Sequence, residues 1–359
     1  MTDPIRFAAI GTGWRTEFFL RVAKAVPEQL QVAVVVGRTA SSIQRLAEQY
    51  GVATSLDVAD LASHAPEFVA ASVPWAATPS LTAELAEAGY HVYCETPPAP
   101  DLAGLRALWE RVGSRAELIQ IGEQYYRMPG HAARLSVVRD GVIGRPNSVE
   151  IASTHMYHAV ALIRDYLAVG MRPAVARASK FSAGLLDPLT FNGWVENPVP
   201  QPRTSTVGTL DFGDGQYGLY NFVDNQWWNP LLSRRIAIRG SNGEIVDNTV
   251  LRLVDGDPVT SAIEYRRVGV DMSLEGNEVI HASFDGKVIY RNQFRGSYLS
   301  EDDIAVADHL VAMGKYVRGE GPAPYPLADG CQDHALALAI EESATSGQPI
   351  PVQAEPWTN

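Results

Sequence analysis

Gly11-Thr12-Gly13 stands between the apolar run IRFAAI (5–10) and a segment whose early residues Phe18, Phe19, Leu20 and Val22 are apolar. A buried strand, a Gly-x-Gly turn and a helix start together make an anion site. The turn brings backbone close to a pyrophosphate, and the helix presents free N–H groups and its positive dipole end. Thr16 takes the third small position of the G-x-G-x-x-G pattern. A second chemical signal lies in VVVGRTASS (34–42), where Gly37 occupies the place of the acidic residue that usually accepts the adenosine ribose hydroxyls. Arg38 and Thr39 follow, offering a guanidinium and a hydroxyl where a 2′-phosphate would lie. The expected cofactor is NADP(H), with NAD(H) as the lesser alternative.

Further along, Gln124, Tyr125, Tyr126 and Arg127 follow the apolar run ELIQIG (117–122). Either tyrosine can donate a proton or simply pack. His155 and His158 lie three apart, a spacing that suggests a metal, but no third ligand is recognisable and none is expected. Trp227-Trp228, flanked by Asn225 and Asn229, can stack a sugar ring with amides at its edges, or serve as core or subunit-contact aromatics.

These residues need elements to position them. Strands are expected at 5–10, 31–36, 66–73, 91–95 and 117–122, with helices after Gly13 and over 41–50, 79–88 and 101–113. Short apolar strands alternating with helices imply a doubly wound parallel sheet, a Rossmann arrangement. Beyond Gly122 the rhythm changes. A helix around 129–140 leads to a strand at 148–154, and hairpins are expected over 204–222 and 234–248, turning at Gly213-Asp214-Gly215 and Ser241-Asn242-Gly243. Helices return at 301–318 and 328–347. The expected domains are 1–122, binding the dinucleotide, and 123–359, an α+β domain with a large, mostly antiparallel open sheet.

Composition narrows the class. A chain of 359 residues, 46% of them apolar, can build two cores. A formal charge of −12 without a basic cluster argues against nucleic acid as a partner. No apolar run reaches membrane-spanning length, and Cys94 and Cys331 form no disulfide framework pattern. With a strand starting at residue 5, no signal peptide is expected, and the cytoplasm is the default location.

The chain resembles the glucose-fructose oxidoreductase/inositol dehydrogenase/MocA family over nearly its whole length. The resemblance rests on IGTG (10–13), on VPWAAT (73–78) where the family has T-P-N-x-x-H, and on AEAGYHVYCETPPAP (86–100) beside AL-x-x-GKHVL-x-EKP-x-A. GVIGRPNSVEI (141–151), HAVALIRDYLAVG (158–170), RIAIRGSNGEI (235–245) and AIEESATSGQPIPV (339–352) extend it. It implies an NAD(P)-dependent oxidoreductase acting on a CH–OH group of a sugar, cyclitol or glycoside-like molecule that lies between the domains. It also implies a homodimer or homotetramer associated through the open sheet face. The implied cofactor residues are Gly11, Thr12, Gly13, Trp14, Arg15, Arg38, Thr39, Pro74, Trp75, Glu95 and Gln124, with Glu95 holding the nicotinamide ribose.

This sequence also departs from the family pattern. The lysine of E-K-P is Thr96, the aspartate of D-x-x-x-H is Thr154 while His158 keeps the histidine, and Trp75 and Thr78 replace the loop Asn and His. The implied catalytic set becomes His158 as acid/base, Thr96 as a neutral hydrogen-bond partner, and Tyr125. The implied substrate set is Thr96, Arg127, Thr154, His155, His158 and Trp227. Two other readings stay open: a redox-assisted lyase or glycosidase that recycles its cofactor, and a non-enzymatic cofactor-binding sensor.

Overall fold

The computed structural model describes residues 3–190, 192–271, 273 and 275–358. Compactness divides the chain into two units, Met1–Ala132 with Tyr265–Ala282 and Tyr290–Cys331, and Ala133–Glu264 with Ser283–Ile289 and Gln332–Asn359.

The first unit is built on β1 (Ile5–Ile10), α1 (Trp14–Ala25), β2 (Leu30–Val36), α2 (Ala40–Tyr50), β3 (Thr54–Ser55), α3 (Leu61–His64), β4 (Phe68–Ala71), α4 (Thr78–Glu87), β5 (Val92–Cys94), α5 (Leu102–Val112) and β6 (Ile119–Ile121). The six strands are all parallel, in the order β3-β2-β1-β4-β5-β6. Strands covered on both faces need no polar alternation, which is why β1, β2 and β4 read as nearly continuous apolar runs. Phe7 of β1 stacks on Phe68 of β4 with ring centroids 5.5 Å apart. Strand order reverses between β1 and β4, so a crevice opens at their carboxyl ends, the place where doubly wound sheets bind ligands.

The second unit carries a nine-stranded sheet. After α6 (Pro129–Arg139) come β7 (Pro146–Ala152), α7 (Met156–Leu167), β8 (Ala174–Leu185), the short pair β9 (Leu189–Thr190) and β10 (Gly193–Trp194), then β11 (Gln201–Asp211) and β12 (Tyr217–Val223). They are followed by β13 (Arg235–Gly240), β14 (Gly243–Val246), β15 (Thr249–Val254) and β16 (Asp257–Ala262). A three-stranded sheet of β17 (Glu264–Val268), β18 (Glu278–Phe284) and β19 (Lys287–Arg291) precedes α8 (Glu301–Val317), α9 (Leu327–Ser346) and β20 (Ile350–Val352). The large sheet runs β16-β15-β14-β13-β7-β12-β11-β8-β20. Its described pairings are antiparallel except β12 with β7. Along β12 buried Gly218, Tyr220 and Phe222 alternate with less buried Leu219, Asn221 and Val223, the signature of one packed and one open face. A buried ion pair, Arg164 to Asp333 at 2.5 Å, ties α7 to α9.

Both expected hairpins form, β11–β12 and β13–β14. The strands between 249 and 291 were not singled out in advance, yet their turns carry a signal. Asp255-Gly256 and Asp285-Gly286 all have positive φ, as two-residue hairpin turns demand. The expected boundary at 122 marks the end of the parallel sheet, but the first compact unit runs on and also takes in α8. The reason is burial: Ile304, Val306, Leu310, Val311 and Met313 of α8 complete the apolar cluster of Ile5, Phe7, Phe19, Val22, Phe68 and Tyr93. No helix among the described residues is long and apolar enough to cross a membrane.

Candidate active site

At the carboxyl edge of the parallel sheet lies a cleft of about 730 Å³. Its walls come from the β1–α1 turn, the β2–α2 connection, the β4–α4 loop and the end of β5. Gly11, Thr12, Gly13, Trp14, Arg15, Arg38, Thr39, Pro74, Trp75, Glu95 and Thr96 all line it. The two glycines of the turn serve different purposes. Gly11 has φ of +123°, and a Cβ there would lie 2.0 Å from the Ser72 carbonyl oxygen, so the fold itself requires glycine. A Cβ on Gly13 would meet nothing within 4 Å. Its missing side chain keeps the cleft open, as a pyrophosphate cradle needs. Gly13 caps α1 without any side-chain bond, leaving the first-turn N–H groups for an anion.

The absence of a carboxylate after β2 also has a steric cause. A Cβ on Gly37 would fall 2.5 Å from Ile43 Cγ2 and 2.6 Å from Thr12 Cγ2. Arg38 is exposed and takes no partner among the described residues. Beside it Thr39 Oγ1 and Ser42 Oγ share a hydrogen bond of 2.6 Å, placing two hydroxyls at the same corner.

At the β5 end the cleft floor is charged. Arg15 Nε lies 2.9 Å from Glu95 Oε1, and Arg15 Nη2 donates to Gln124 Oε1 at 3.1 Å. Gln124 Nε2 in turn donates to Asp302 Oδ1 at 3.3 Å. Burial alone would lower the Arg15 pKa, but Glu95, Tyr93 and Asp302 together raise it, so the guanidinium stays charged. Burial pushes the Glu95 carboxyl up from its ordinary value, with Arg15 opposing. Glu123, also buried and unforeseen from sequence, is pushed by burial to about 8.

The residues expected just after β6 have structural partners. Arg127 pairs with Asp308 at 2.5 Å and donates from Nε to the Tyr126 hydroxyl at 2.7 Å. Tyr126 itself donates to the Pro324 carbonyl at 2.5 Å. Tyr125 packs its ring against His131 at 6.2 Å.

In the second unit, α7 begins at Met156, just after His155 as N-cap. Its first turn gathers rings: His155 lies edge-on to Trp227 at 4.2 Å and 5.1 Å from His158. Trp227 stacks on Trp228 at 5.6 Å. Burial drives the His155 pKa down to about 2, with His158 adding to the effect. Gln226 Nε2 donates to the Ala152 carbonyl at 2.7 Å, tying the segment that carries Asn225 and Trp227 to the end of β7. Ser153 Oγ, Thr154 Oγ1 and both amide atoms of Asn225 are buried without a hydrogen-bond partner among the described residues. Such orphans each cost about 1–3 kcal/mol unless a ligand or water meets them. No group of three or more potential metal ligands exists among the described residues.

Residues 5–123 match the model of the Gfo/Idh/MocA family, an oxidoreductase family with an NAD-binding Rossmann fold. That match covers the part of the chain that builds the parallel sheet. The whole fold has solved counterparts. A myo-inositol dehydrogenase from Corynebacterium glutamicum shares 19% identity at TM-score 0.68, covering 98% of this chain and 100% of that one. A levoglucosan dehydrogenase in complex with NADH and levoglucosan shares 16% at TM-score 0.69, covering 98% and 100%. An oxidoreductase from Agrobacterium radiobacter, in complex with NAD+, L-tartaric acid and magnesium, shares 16% at TM-score 0.69, covering 97% and 98%. At these identities the likeness is one of fold. No curated protein matches the chain by sequence.

The cleft contains further residues that motif reading missed, among them Ser42, Leu56, Val58, Ser72 and Leu81. Ser42 and Ser72 stand within a few residues of strand ends, a position that could have flagged them, since parallel sheets bind at their carboxyl edge. Leu56 and Val58 bear no chemical signature and are recognisable only in three dimensions. A glycine with room to spare, an uncapped helix start and an arginine without a partner among the described residues make the cleft a fit for a dinucleotide.

Proposed function

We propose that this protein is an NAD(P)-dependent oxidoreductase, preferring NADP(H), that moves a hydride to or from a carbinol or carbonyl carbon of a sugar, cyclitol or glycoside-like molecule. The observation that carries the reading is the cleft at the β1–β4 switch point, with Gly13 open beneath it and unpartnered Arg38 at one end. The α1 first turn would hold the pyrophosphate, and Arg38, Thr39 and Ser42 the 2′-phosphate. Trp14, Pro74 and Trp75 would bound the bases, and Glu95 would accept the nicotinamide ribose hydroxyls. Bound nicotinamide supplies the hydride acceptor or donor. Thr96 would offer a neutral hydrogen bond, and His158 would exchange the proton of the reacting hydroxyl.

The substrate class is supported by the orphaned hydroxyl and amide groups of Ser153, Thr154 and Asn225, on the two segments whose His155 and Trp227 rings meet, a combination suited to a polyol. The names of two fold neighbours, a myo-inositol and a levoglucosan dehydrogenase, point the same way. In the second unit His155 completes the proposed substrate surroundings. A homodimer or homotetramer would cover the open face of the large sheet.

Arg38→Ala tests the cofactor reading. A charge-assisted contact is worth about 1.5–3 kcal/mol, so NADPH affinity should fall about ten- to a hundredfold while NADH affinity holds. Calorimetric titration of both dinucleotides reads it. Equal losses for the two defeat the NADP preference, and no binding of either to the unaltered protein defeats the function.

A further inference from the structure

Two cationic side chains line the cleft, Arg38 at the β2 end and Arg15 at the β5 end. Arg38 has no partner among the described residues, whereas Arg15 is held on three sides. Its Nε meets Glu95 Oε1 at 2.9 Å, its Nη2 donates to Gln124 Oε1 at 3.1 Å, and its guanidinium carbon lies 5.2 Å from the ring centroids of both Phe18 and Phe19. An arginine so fixed does not swing out to meet a ligand. What it controls is Glu95. Oε1 of that carboxylate is held by the ion pair with Arg15 and not by a hydrogen bond; neither oxygen accepts a hydrogen bond from any described residue, and Glu95 lines the cleft beside Thr96. A dinucleotide laid across this edge places its adenosine half over β2 and its nicotinamide half towards β4 and β5.

We propose that Arg15 is a positioning residue of the cleft: by clamping Oε1 of Glu95 it aims Oε2 at the nicotinamide-side ribose, whose vicinal hydroxyls then donate to it. This rests on the dinucleotide reading above and adds a device that motif matching does not supply. Arg15 does two things at once. It fixes the carboxylate rotamer, and it offsets the burial that would otherwise favour the neutral acid, a poorer acceptor. The titratable groups facing the pair are Glu123 from the segment after β6, Asp302 and His309 of α8, and Tyr93 and Cys94 of β5.

The test compares NADP+ with 2′,5′-ADP, which carries the adenosine 2′-phosphate but no nicotinamide riboside. Both are titrated from pH 6 to 9 into the unaltered protein and into Arg15→Gln, Arg15→Lys and Glu95→Gln. Arg15→Gln and Glu95→Gln should each lose about tenfold or more in NADP+ affinity with 2′,5′-ADP unchanged, and Arg15→Lys should recover part of the loss. In Arg15→Gln the weakening on acidification should set in at a higher pH than in the unaltered protein, because the unclamped carboxyl protonates more readily. That displacement must persist in a Glu123→Gln background, which removes the neighbouring titration. Parallel losses for NADP+ and 2′,5′-ADP would reveal a general disturbance of α1 and overturn the proposal, as would an unshifted pH profile. Failure of the unaltered protein to bind either nucleotide would instead bring down the dinucleotide reading itself.

Discussion

Gly11 and Gly13 belong to one motif, yet the structure predicts opposite outcomes when each gains a methyl group. At Gly13, φ is −83° and ψ 179°, ordinary extended backbone, and the new Cβ would meet no protein atom within 4 Å. Alanine restricts the unfolded chain, worth up to about 1 kcal/mol in its favour, and loses a few tenths as a helix N-cap. The melting temperature of Gly13→Ala should therefore stay within a degree or two. Its methyl would, however, occupy the space reserved for the pyrophosphate. Overpacking of that kind costs about 1–3 kcal/mol, or roughly five- to 150-fold in NADPH affinity. At Gly11 the methyl would sit 2.0 Å from the Ser72 carbonyl oxygen on a backbone at φ +123°. That overlap adds to a strain of about 1–3 kcal/mol, so Gly11→Ala should melt well below the unaltered protein before any ligand is added. Scanning calorimetry of both variants, with NADPH titration of Gly13→Ala, separates the two roles. A stable Gly13→Ala that binds NADPH normally would refute the assignment of that open space to the nucleotide.

Two more outcomes follow from burial. Glu123 titrates at about 8 in the folded chain against an ordinary 4.5, so its contribution favours folding at low pH. That contribution fades as pH rises between those values, because the unfolded chain ionises first. Glu123→Gln should therefore gain roughly 3–5 kcal/mol at pH 8 relative to pH 4 and flatten that part of the profile; a denaturation profile with unchanged slope would contradict it. The open face of the nine-stranded sheet, with Leu219, Val223 and Ala237 only partly covered, should pair with a second copy, and a monomer at micromolar concentration by light scattering would count against this.

How much of this was legible in sequence varies with the kind of interaction. The parallel sheet announced itself because strands buried on both faces are written as apolar runs, and each lay within a few residues of its expected position. The anion turn was legible because its geometry depends on backbone alone. Asp255-Gly256 and Asp285-Gly286 were equally plain turn signals, passed over because the flanking strands alternate weakly and several of their residues are exposed. What could not be read was pairing over long separations. Arg15 looks like a phosphate ligand in a motif, but its partner Glu95 comes from the end of β5. Arg127 looks like a substrate group until Asp308 of α8 is beside it.

The two histidines of the α7 start show why residue type and spacing fall short of an assignment. In the sequence His158 is the acid/base candidate and His155 only a substrate residue, a distinction that rests on the family pattern rather than on the residues. Folding makes them unequal. The His155 ring is enclosed by Trp227, Tyr157, Phe222 and His158, and burial carries its pKa down to about 2. A base depressed that far contributes stability that is complete above its unfolded value of 6.5 and is surrendered as pH falls towards 2. Across the range in which most enzymes work, that imidazole is neutral and does not hand on a proton as an imidazolium. Its Nδ1 is buried without a partner among the described residues, so what remains to it is a single neutral hydrogen bond to a ligand and a flat apolar wall. Proton exchange at the reacting hydroxyl needs a group that gains and loses charge, and this is the physical ground on which the proposal withholds that work from His155; His158 takes it in the proposal from its place in the family pattern.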